Sequence, residues 1–447
     1  MSTNNIKNSV DIFKEWSSEF LLDSFSLVDN YSKFISWLNK GSEIYYSYSD
    51  INKSTDLYFQ TILAQKRAEF IKKYIDEIYV EISDNYNKAL RVDDFLRGLS
   101  ELYPGLLPDK ANLELERSKS LFIKEGIEIS IGYVISEVLH NCKTGKHLID
   151  SMRFPLEKSR LRLEEFNELG FINFSTVRIE KKNGVGFIYF RNYDYLNAED
   201  IQLITDLEEA VDVLLLDPSV KLNVIRGDLM KSKKYLNKRV FCSGINLTKL
   251  VDGELPFLFF INRELGLMNK IYRGLLYSES TNDIKEIEKP WVSVIESHAI
   301  GGGAQLLLVS DIIVAETGSY ITIPARKEGF IPGLANLRLK KYFGYKLINE
   351  LVNFGGKFSV DSQEGLMLVD KVFGSNVDKE LNHLLDSIKN TGINSMVSNK
   401  KVFRIAYEPE EIFREYMSVF SREQVRCMFD EEILNNLKAF WSAKTKN

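Results

Sequence analysis

The chain lacks most of the features that declare a function at first sight. Its three cysteines in 447 residues, Cys142, Cys242 and Cys427, are too few and too scattered for a disulfide framework, and they fit reduced thiols in a cytoplasmic protein. The four histidines, His140, His147, His298 and His383, show neither HxxxH nor HxH spacing, so no metal ligand set is written here and each is expected to be structural. Charge of one sign is also missing: 58 basic and 63 acidic side chains leave a net −5, which excludes a global field that would gather nucleic acid or an anionic membrane. No apolar run approaches the roughly 18–20 residues needed to span a bilayer, and the start, Met1-Ser2-Thr3-Asn4-Asn5, is polar. Neither internal repeats nor low-complexity tracts occur.

What is present is apolar material for more than one core, with 44% hydrophobic residues. Up to about residue 165 the apolar positions recur at three- and four-residue steps, as in Phe59, Ile62-Leu63, Phe70-Ile71, Tyr74-Ile75 and Ile78, which predicts an all-helical N-terminal domain over 1–172. The run Tyr103-Pro104-Gly105-Leu106-Leu107-Pro108 cannot continue a helix and reads as a loop. The pattern then changes. Two alternating runs flank Asn183-Gly184 as a hairpin, a helix fits Ile201–Leu216, and short buried strands fit 220–226, 291–295 and 311–315. That succession predicts an α/β layer architecture over 173–390, followed by a helical C-terminal region over 391–447.

Two glycine-bearing segments carry the chemistry. In Ser297-His298-Ala299-Ile300-Gly301-Gly302-Gly303-Ala304-Gln305 a buried strand enters three glycines and then an apolar helix, so backbone N–H groups can approach and face an anion. The lesser alternative for the motif alone is a tight strand-to-helix turn with no ligand, and it lacks the spacing of a dinucleotide or phosphate loop. Upstream, Arg239-Val240-Phe241-Cys242-Ser243-Gly244-Ile245 is another apolar strand ending at a glycine, placing the Ile245 N–H as a second donor. Two amides converging on a thioester carbonyl would stabilise an enolate or tetrahedral oxyanion.

The segments Leu196-Asn197-Ala198-Glu199, Ser243-Gly244-Ile245-Asn246-Leu247, Lys289-Pro290-Trp291-Val292 leading to Gly301-Gly302-Gly303, and Glu328-Gly329 with Ile331-Pro332-Gly333 stand in the order and spacing of the crotonase superfamily, which the chain resembles. The resemblance implies a ββα spiral core, binding of a CoA thioester, and Ile245 and Gly302 N–H groups, shaped by Gly244 and Gly301, as an oxyanion hole. Where the hydratases of that superfamily carry two glutamates, this chain has Gln305 and Ala325, and neither can shuttle a proton near neutral pH.

The helical N-terminal extension, Asn262-Arg263-Glu264-Leu265-Gly266, Pro324-Ala325-Arg326-Lys327-Glu328-Gly329 and Ala335-Asn336-Leu337-Arg338-Leu339 resemble instead the branch of cofactor-independent dioxygenases acting on 3,5-dihydroxyphenylacetyl-CoA. That likeness implies attack of O2 on the α carbon of an arylacetyl-CoA and cleavage to an arylglyoxylate plus CoA, with no metal or organic cofactor. It implies Arg263 and Gln305 at the reacting thioester and oxygen adduct, Glu199 as acceptor for a phenolic hydroxyl, and Phe330, Ile331 and Pro332 lining the O2 pocket. Phe330 departs from the isoleucine of the branch and is expected to reshape that pocket. Lys238 and Arg239, just before the oxyanion strand, are placed to meet CoA phosphates. The resemblance further implies a homo-oligomer, trimer or hexamer, and service in antibiotic biosynthesis. Alternative readings are another crotonase-type reaction at the same oxyanion hole (hydrolase, isomerase or decarboxylase) and a catalytically silent CoA-binding subunit.

Overall fold

The computed structural model describes residues 3–24, 26–47, 52–231, 233–278 and 284–444. They fall into two compact units. The first gathers the chain up to Leu148 together with Val251–Phe257 and Met417–Lys438, and the second gathers Ile149–Leu250 and Leu258–Tyr416.

The first unit is helical, as the three- and four-residue apolar spacing predicts. Its longest helix, Lys53–Ile82, starts where the Asn52 side chain accepts the Thr55 N–H and buries Phe59, Ile62, Leu63, Phe70, Ile71, Ile75 and Ile78. Each such aliphatic or aromatic side chain, fully buried, contributes about 1.5–3 kcal/mol. Trp16 and Trp37 stack with centroids 4.2 Å apart, and each indole N–H donates to the other's carbonyl, at 3.1 and 3.0 Å. Gly41 makes room for that stack, since a Cβ there would lie 1.9 Å from the Trp16 ring. The segment 103–108 is a loop, with Gly105 at φ +95°.

The second unit is mixed. Its strands are β1 (Phe171–Asn173), β2 (Val177–Lys182), β3 (Val185–Phe190), β4 (Leu222–Gly227), β5 (Leu275–Ser278), β6 (Ile284–Ile287), β7 (Trp291–Ile295), β8 (His298–Ile300), β9 (Ile312–Glu316), β10 (Tyr320–Thr322), β11 (Lys357–Ser359) and β12 (Lys371–Phe373). One seven-stranded sheet runs β1-β2-β3-β4-β7-β9-β12, a three-stranded one β11-β10-β8, and β5 pairs with β6. The β2–β3 hairpin turns on Asn183 (φ 51°) and Gly184 (φ 77°), both left-handed as a two-residue turn requires. From β3 to β12 neighbours are parallel. The β3–β4 connection is the helix Ile201–Leu216. Because parallel strands are covered on both faces, β3, β4 and β7 are mostly apolar and buried throughout, with Asn223, Arg226 and Ser293 buried among them. Phe187, Tyr189, Val224, Val292, Val294 and Val314 form a core with Leu381 and Leu385 of the helix Val377–Asn390.

The two units cross the divisions expected at 172 and 390. The helix Glu157–Leu169 groups with the sheet, where the buried Asp212 carboxylate accepts the Leu156 N–H at 2.7 Å and the Ser159 hydroxyl at 3.0 Å. At the other end, Ile393–Tyr407 stays with the sheet through the Arg404–Glu288 ion pair at 2.6 Å, whereas Ser418 and Val425 pack on Ser136 and Gly132 of the helical unit. Periodicity gives the type of an element but not the core it joins. Among the described residues no helix is long and apolar enough to cross a membrane.

Candidate active site

Two stretches of backbone meet because isolated bridges tie them together. Cys242 pairs with Ala299 and Glu199 with Ile245, both in parallel sense. Ile300 N–H therefore donates to Cys242 O at 3.0 Å, Glu199 N–H to Gly244 O at 2.7 Å, and Asn246 N–H to Glu199 O at 2.8 Å. Gly244 (φ +87°) and Gly301 (φ +50°) turn the chain at the crossing in conformations that side-chain-bearing residues rarely adopt. The turns touch: a Cβ on Gly301 would lie 3.5 Å from the Gly244 Cα. Gly302 is required for space, because a Cβ there would stand 1.9 Å from the Glu199 Oε2. Among the described residues no protein group accepts the N–H of Ile245 or of Gly302, the latter at the first turn of the helix Gly302–Leu307.

Beneath the glycines lies Arg263, 3% exposed, at the start of a π-helical turn, Arg263–Met268. Such a turn inserts one residue into the helical register and is frequent at functional sites. Its Nε and Nη2 donate to the two Glu199 oxygens, each at 2.9 Å, Nη2 also to Gly302 O at 2.8 Å, and Nη1 to Gln305 Oε1 at 3.0 Å and to Glu264. Burial acts against this cation, but the Glu199 and Glu264 carboxylates outweigh it and hold the guanidinium above its ordinary value. Gly333 (φ +45°) closes the other side. A Cβ there would lie 2.3 Å from a Glu264 oxygen and 2.7 Å from Gln305 Oε1, and the Tyr416 hydroxyl fixes its carbonyl at 2.6 Å.

The charges continue as an alternating buried chain. Arg338 stands 3.9 Å from Glu264 and 2.9 Å from Glu408, and Arg273 lies 3.1 Å from Glu408. Three carboxylates and three guanidiniums thus balance in the interior, which is what makes their burial tolerable. Within this chain Glu264 is the strained member: burial raises its pKa despite Arg263 and Arg338, and its Oε2 has no hydrogen-bond donor.

The structure therefore assembles Glu199, Arg263, Gln305, Gly244, Ile245, Gly301 and Gly302 in one place. Glu199 is found with both oxygens occupied by Arg263, so a phenol could use only the remaining lone pairs. Phe330 is buried and stacks on Phe260 with centroids 5.7 Å apart; Pro332 is buried and Ile331 half-buried. Lys238 and Arg239 border a cavity of about 690 Å³ that also takes in Tyr320 and Lys357. Arg239 donates to Gly227 O at 3.1 Å and stands 3.6 Å from Asp228 and 3.7 Å from Glu296, so its charge is committed to the protein; Lys238 is exposed.

Sequence reasoning passed over Glu264, Gly333 and Glu408 as functional neighbours. The first two lie inside matched motifs, but Glu408 sits in a helical tail with no local signal. It also passed over how His298 works. His298 is held between the Ser243 hydroxyl (3.0 Å from Nε2) and the Ser297 hydroxyl (3.1 Å from Nδ1) and stacks on Tyr320, anchoring the residue before Gly244. Burial, with Lys357 and Lys234 nearby, pushes its pKa down to about 4, so it is neutral at physiological pH. Among the described residues no cluster of three or more His, Cys, Asp or Glu is arranged to hold a metal ion.

Comparison with known proteins agrees with the motifs. The enoyl-CoA hydratase/isomerase family profile matches residues 180–425. The chain is 36% identical over 376 residues, 84% of its own length and 86% of the relative's, to the (3,5-dihydroxyphenyl)acetyl-CoA 1,2-dioxygenase of Amycolatopsis orientalis. It is 24% identical over 250 residues, 55% of its length and 87% of the relative's, to the carnitinyl-CoA dehydratase of Proteus mirabilis. Among solved structures, an enoyl-CoA hydratase from Mycobacterium avium subsp. paratuberculosis superposes with a TM-score of 0.49 at 16% identity, covering 61% of this chain and 97% of that one. The profile match spans more than half of the chain and the dioxygenase likeness most of it: the chain belongs to the enoyl-CoA hydratase/isomerase family, the crotonase superfamily.

Proposed function

We propose that this chain is a dioxygenase that converts an arylacetyl-CoA thioester, of the 3,5-dihydroxyphenylacetyl-CoA type, and O2 into an arylglyoxylate and free CoA. In that reaction both α hydrogens leave as protons and the α carbon gives up four electrons, enough to reduce O2 fully, so no external reductant is required. The Ile245 and Gly302 N–H groups would hold the thioester oxygen as the enolate forms. Arg263, fixed by Glu199 and Gln305, would sit against the thioester and the oxygen adduct with Phe330, Ile331 and Pro332 nearby, while Lys238 would meet CoA phosphates.

The observation that carries this reading is the buried Arg263–Glu199–Gln305 cluster beneath two acceptor-free amides, with Gln305 and Ala325 at the hydratase acid–base positions. The 36% identity to an enzyme named for this reaction supports the same substrate class. Oxygen-electrode traces with 3,5-dihydroxyphenylacetyl-CoA test it, with free thiol followed in parallel. Equal uptake of O2 and release of thiol is expected, and thiol release without O2 uptake would overturn it.

A second reading is oxygen-independent acid–base chemistry on a CoA thioester. It is favoured by Glu264, a carboxyl group with a raised pKa packed beside Gln305 and Gly333. Turnover of the same thioester under strict anaerobiosis would select it. For either chemistry we place the protein in the cytoplasm as a homo-oligomer, a trimer or hexamer. Sedimentation at micromolar concentration reads this directly, and a monomer would contradict it.

A further inference from the structure

We propose that the helical unit carries a binding site of its own, a cavity that takes a small carboxylate with an apolar body on the guanidinium of Arg67. The cavity holds about 880 Å³ and is lined by Tyr45, Phe59, Gln60, Leu63, Arg67 and Leu107, among others. Phe59, Leu63 and Arg67 follow one another at four-residue steps on the helix Lys53–Ile82, so one helix face supplies both the apolar wall and the cation. Leu107 comes from the Pro-Gly loop that breaks the helical pattern.

The charge of Arg67 is what calls for a ligand. The residue is 5% exposed, yet among the described residues its only protein acceptors are Gly105 O, 3.0 Å from Nε, and the Ser130 hydroxyl, 2.6 Å from Nη1. A guanidinium has five N–H donors, so three of them, on the Nη1–Nη2 edge, lack a protein partner. Every other buried arginine among the described residues has a carboxylate: Arg153, Arg226, Arg263, Arg273, Arg338, Arg404 and Arg414. Arg67 has none. Burial lowers its pKa only to about 10, so it stays charged at neutral pH.

The charges that could answer it are engaged elsewhere: Lys119 and Glu125 pair at 2.6 Å, and Asp109 caps a helix through the Ala111 N–H at 2.7 Å. A buried cation without a counter-charge is costly, and an anion from solution relieves it. One free guanidinium edge matches a carboxylate bidentately, and among the described residues Arg67 is the one buried cation lining the cavity: Lys110 is exposed and 3.8 Å from Glu114, and Lys119 pairs with Glu125. The volume lies within the range of small-molecule sites, and the aromatic and aliphatic wall accommodates the body of the ligand.

The test uses the full-length protein and (4-bromophenyl)acetate, with (4-bromophenyl)acetamide as neutral control, in titration calorimetry. Saturable binding of the acid is expected, about 30-fold tighter than of the amide, the scale of one charge-assisted pair. Arg67→Met should lose a similar factor. Leu63→Trp, which keeps the charge but fills the cavity, should also abolish binding and guards against a misfolded Arg67 variant. The anomalous signal of bromine in a soaked crystal should lie beside Arg67. Equal affinity for acid and amide, binding unchanged in both variants, bromine at another place, or no binding at millimolar concentration would each overturn the proposal.

Discussion

Arg263 grips Glu199 with two nitrogens at once, Nε and Nη2 each 2.9 Å from a carboxylate oxygen, although 64 residues separate the pair. Nη2 reaches Gly302 O as well, at 2.8 Å, so one planar group locks the first helical residue after the glycine turn. In the proposed reaction, rigidity of that kind would hold the amides where charge develops and lower the reorganisation otherwise required.

Replacing the fork by a point charge should be damaging. Arg263→Lys keeps the charge but cannot span both Glu199 oxygens, and turnover of the thioester is expected to fall on the order of 100-fold, with stability reduced by roughly 1–3 kcal/mol. Steady-state kinetics and urea unfolding read the two effects. Unchanged turnover would remove Arg263 from the site.

Gly302 tests the contact from the other side. Gly302→Ala would push a methyl into the Glu199 carboxylate, 1.9 Å away, and should destabilise by roughly 1–3 kcal/mol. Combined with Glu199→Ala the loss should be smaller than the sum, with a coupling of about 1 kcal/mol or more. Strict additivity in the double-mutant cycle would show that the two residues do not touch.

Much of this was legible in the sequence, for local reasons. Asn183-Gly184 announces its hairpin because both residues tolerate left-handed backbone, and Gly301 announces its turn in the same way. The turns at Gly244 and Gly301 were readable because strand and glycine follow one another directly. The partnership of Arg263 with Glu199, and of Arg338 with Glu408 across 70 residues, was not, because nothing local to either residue encodes which distant charge it will meet. The π turn at Arg263–Met268 and the stacking of Phe330 on Phe260 likewise arise from packing rather than from a pattern along the chain.

His298 should make stability pH-dependent. An unfolded histidine titrates near 6.5, whereas the folded one is held neutral down to about 4, so the unfolded state binds the extra proton between those values. Stability should therefore fall by roughly 2–3 kcal/mol as pH drops from 6.5 to 4, and level off below. In His298→Gln this component should vanish. Parallel curves for both proteins from denaturant midpoints across that range would refute the assignment.

Phe330 should govern oxygen entry. Phe330→Ile removes a ring stacked 5.7 Å from Phe260 and is expected to lower the KM for O2 while leaving the KM for the thioester within about twofold. Initial rates at varied O2 tension separate the two constants. A change confined to the thioester KM would assign Phe330 to the acyl pocket instead.

Turnover under ¹⁸O2 tests the central claim most directly. Incubating chelator-treated protein with 3,5-dihydroxyphenylacetyl-CoA in ¹⁸O2 should give an arylglyoxylate with two heavy oxygens, one in the ketone and one in the carboxylate. Product carrying one or no label from O2, or the same product formed in its absence, would contradict the account.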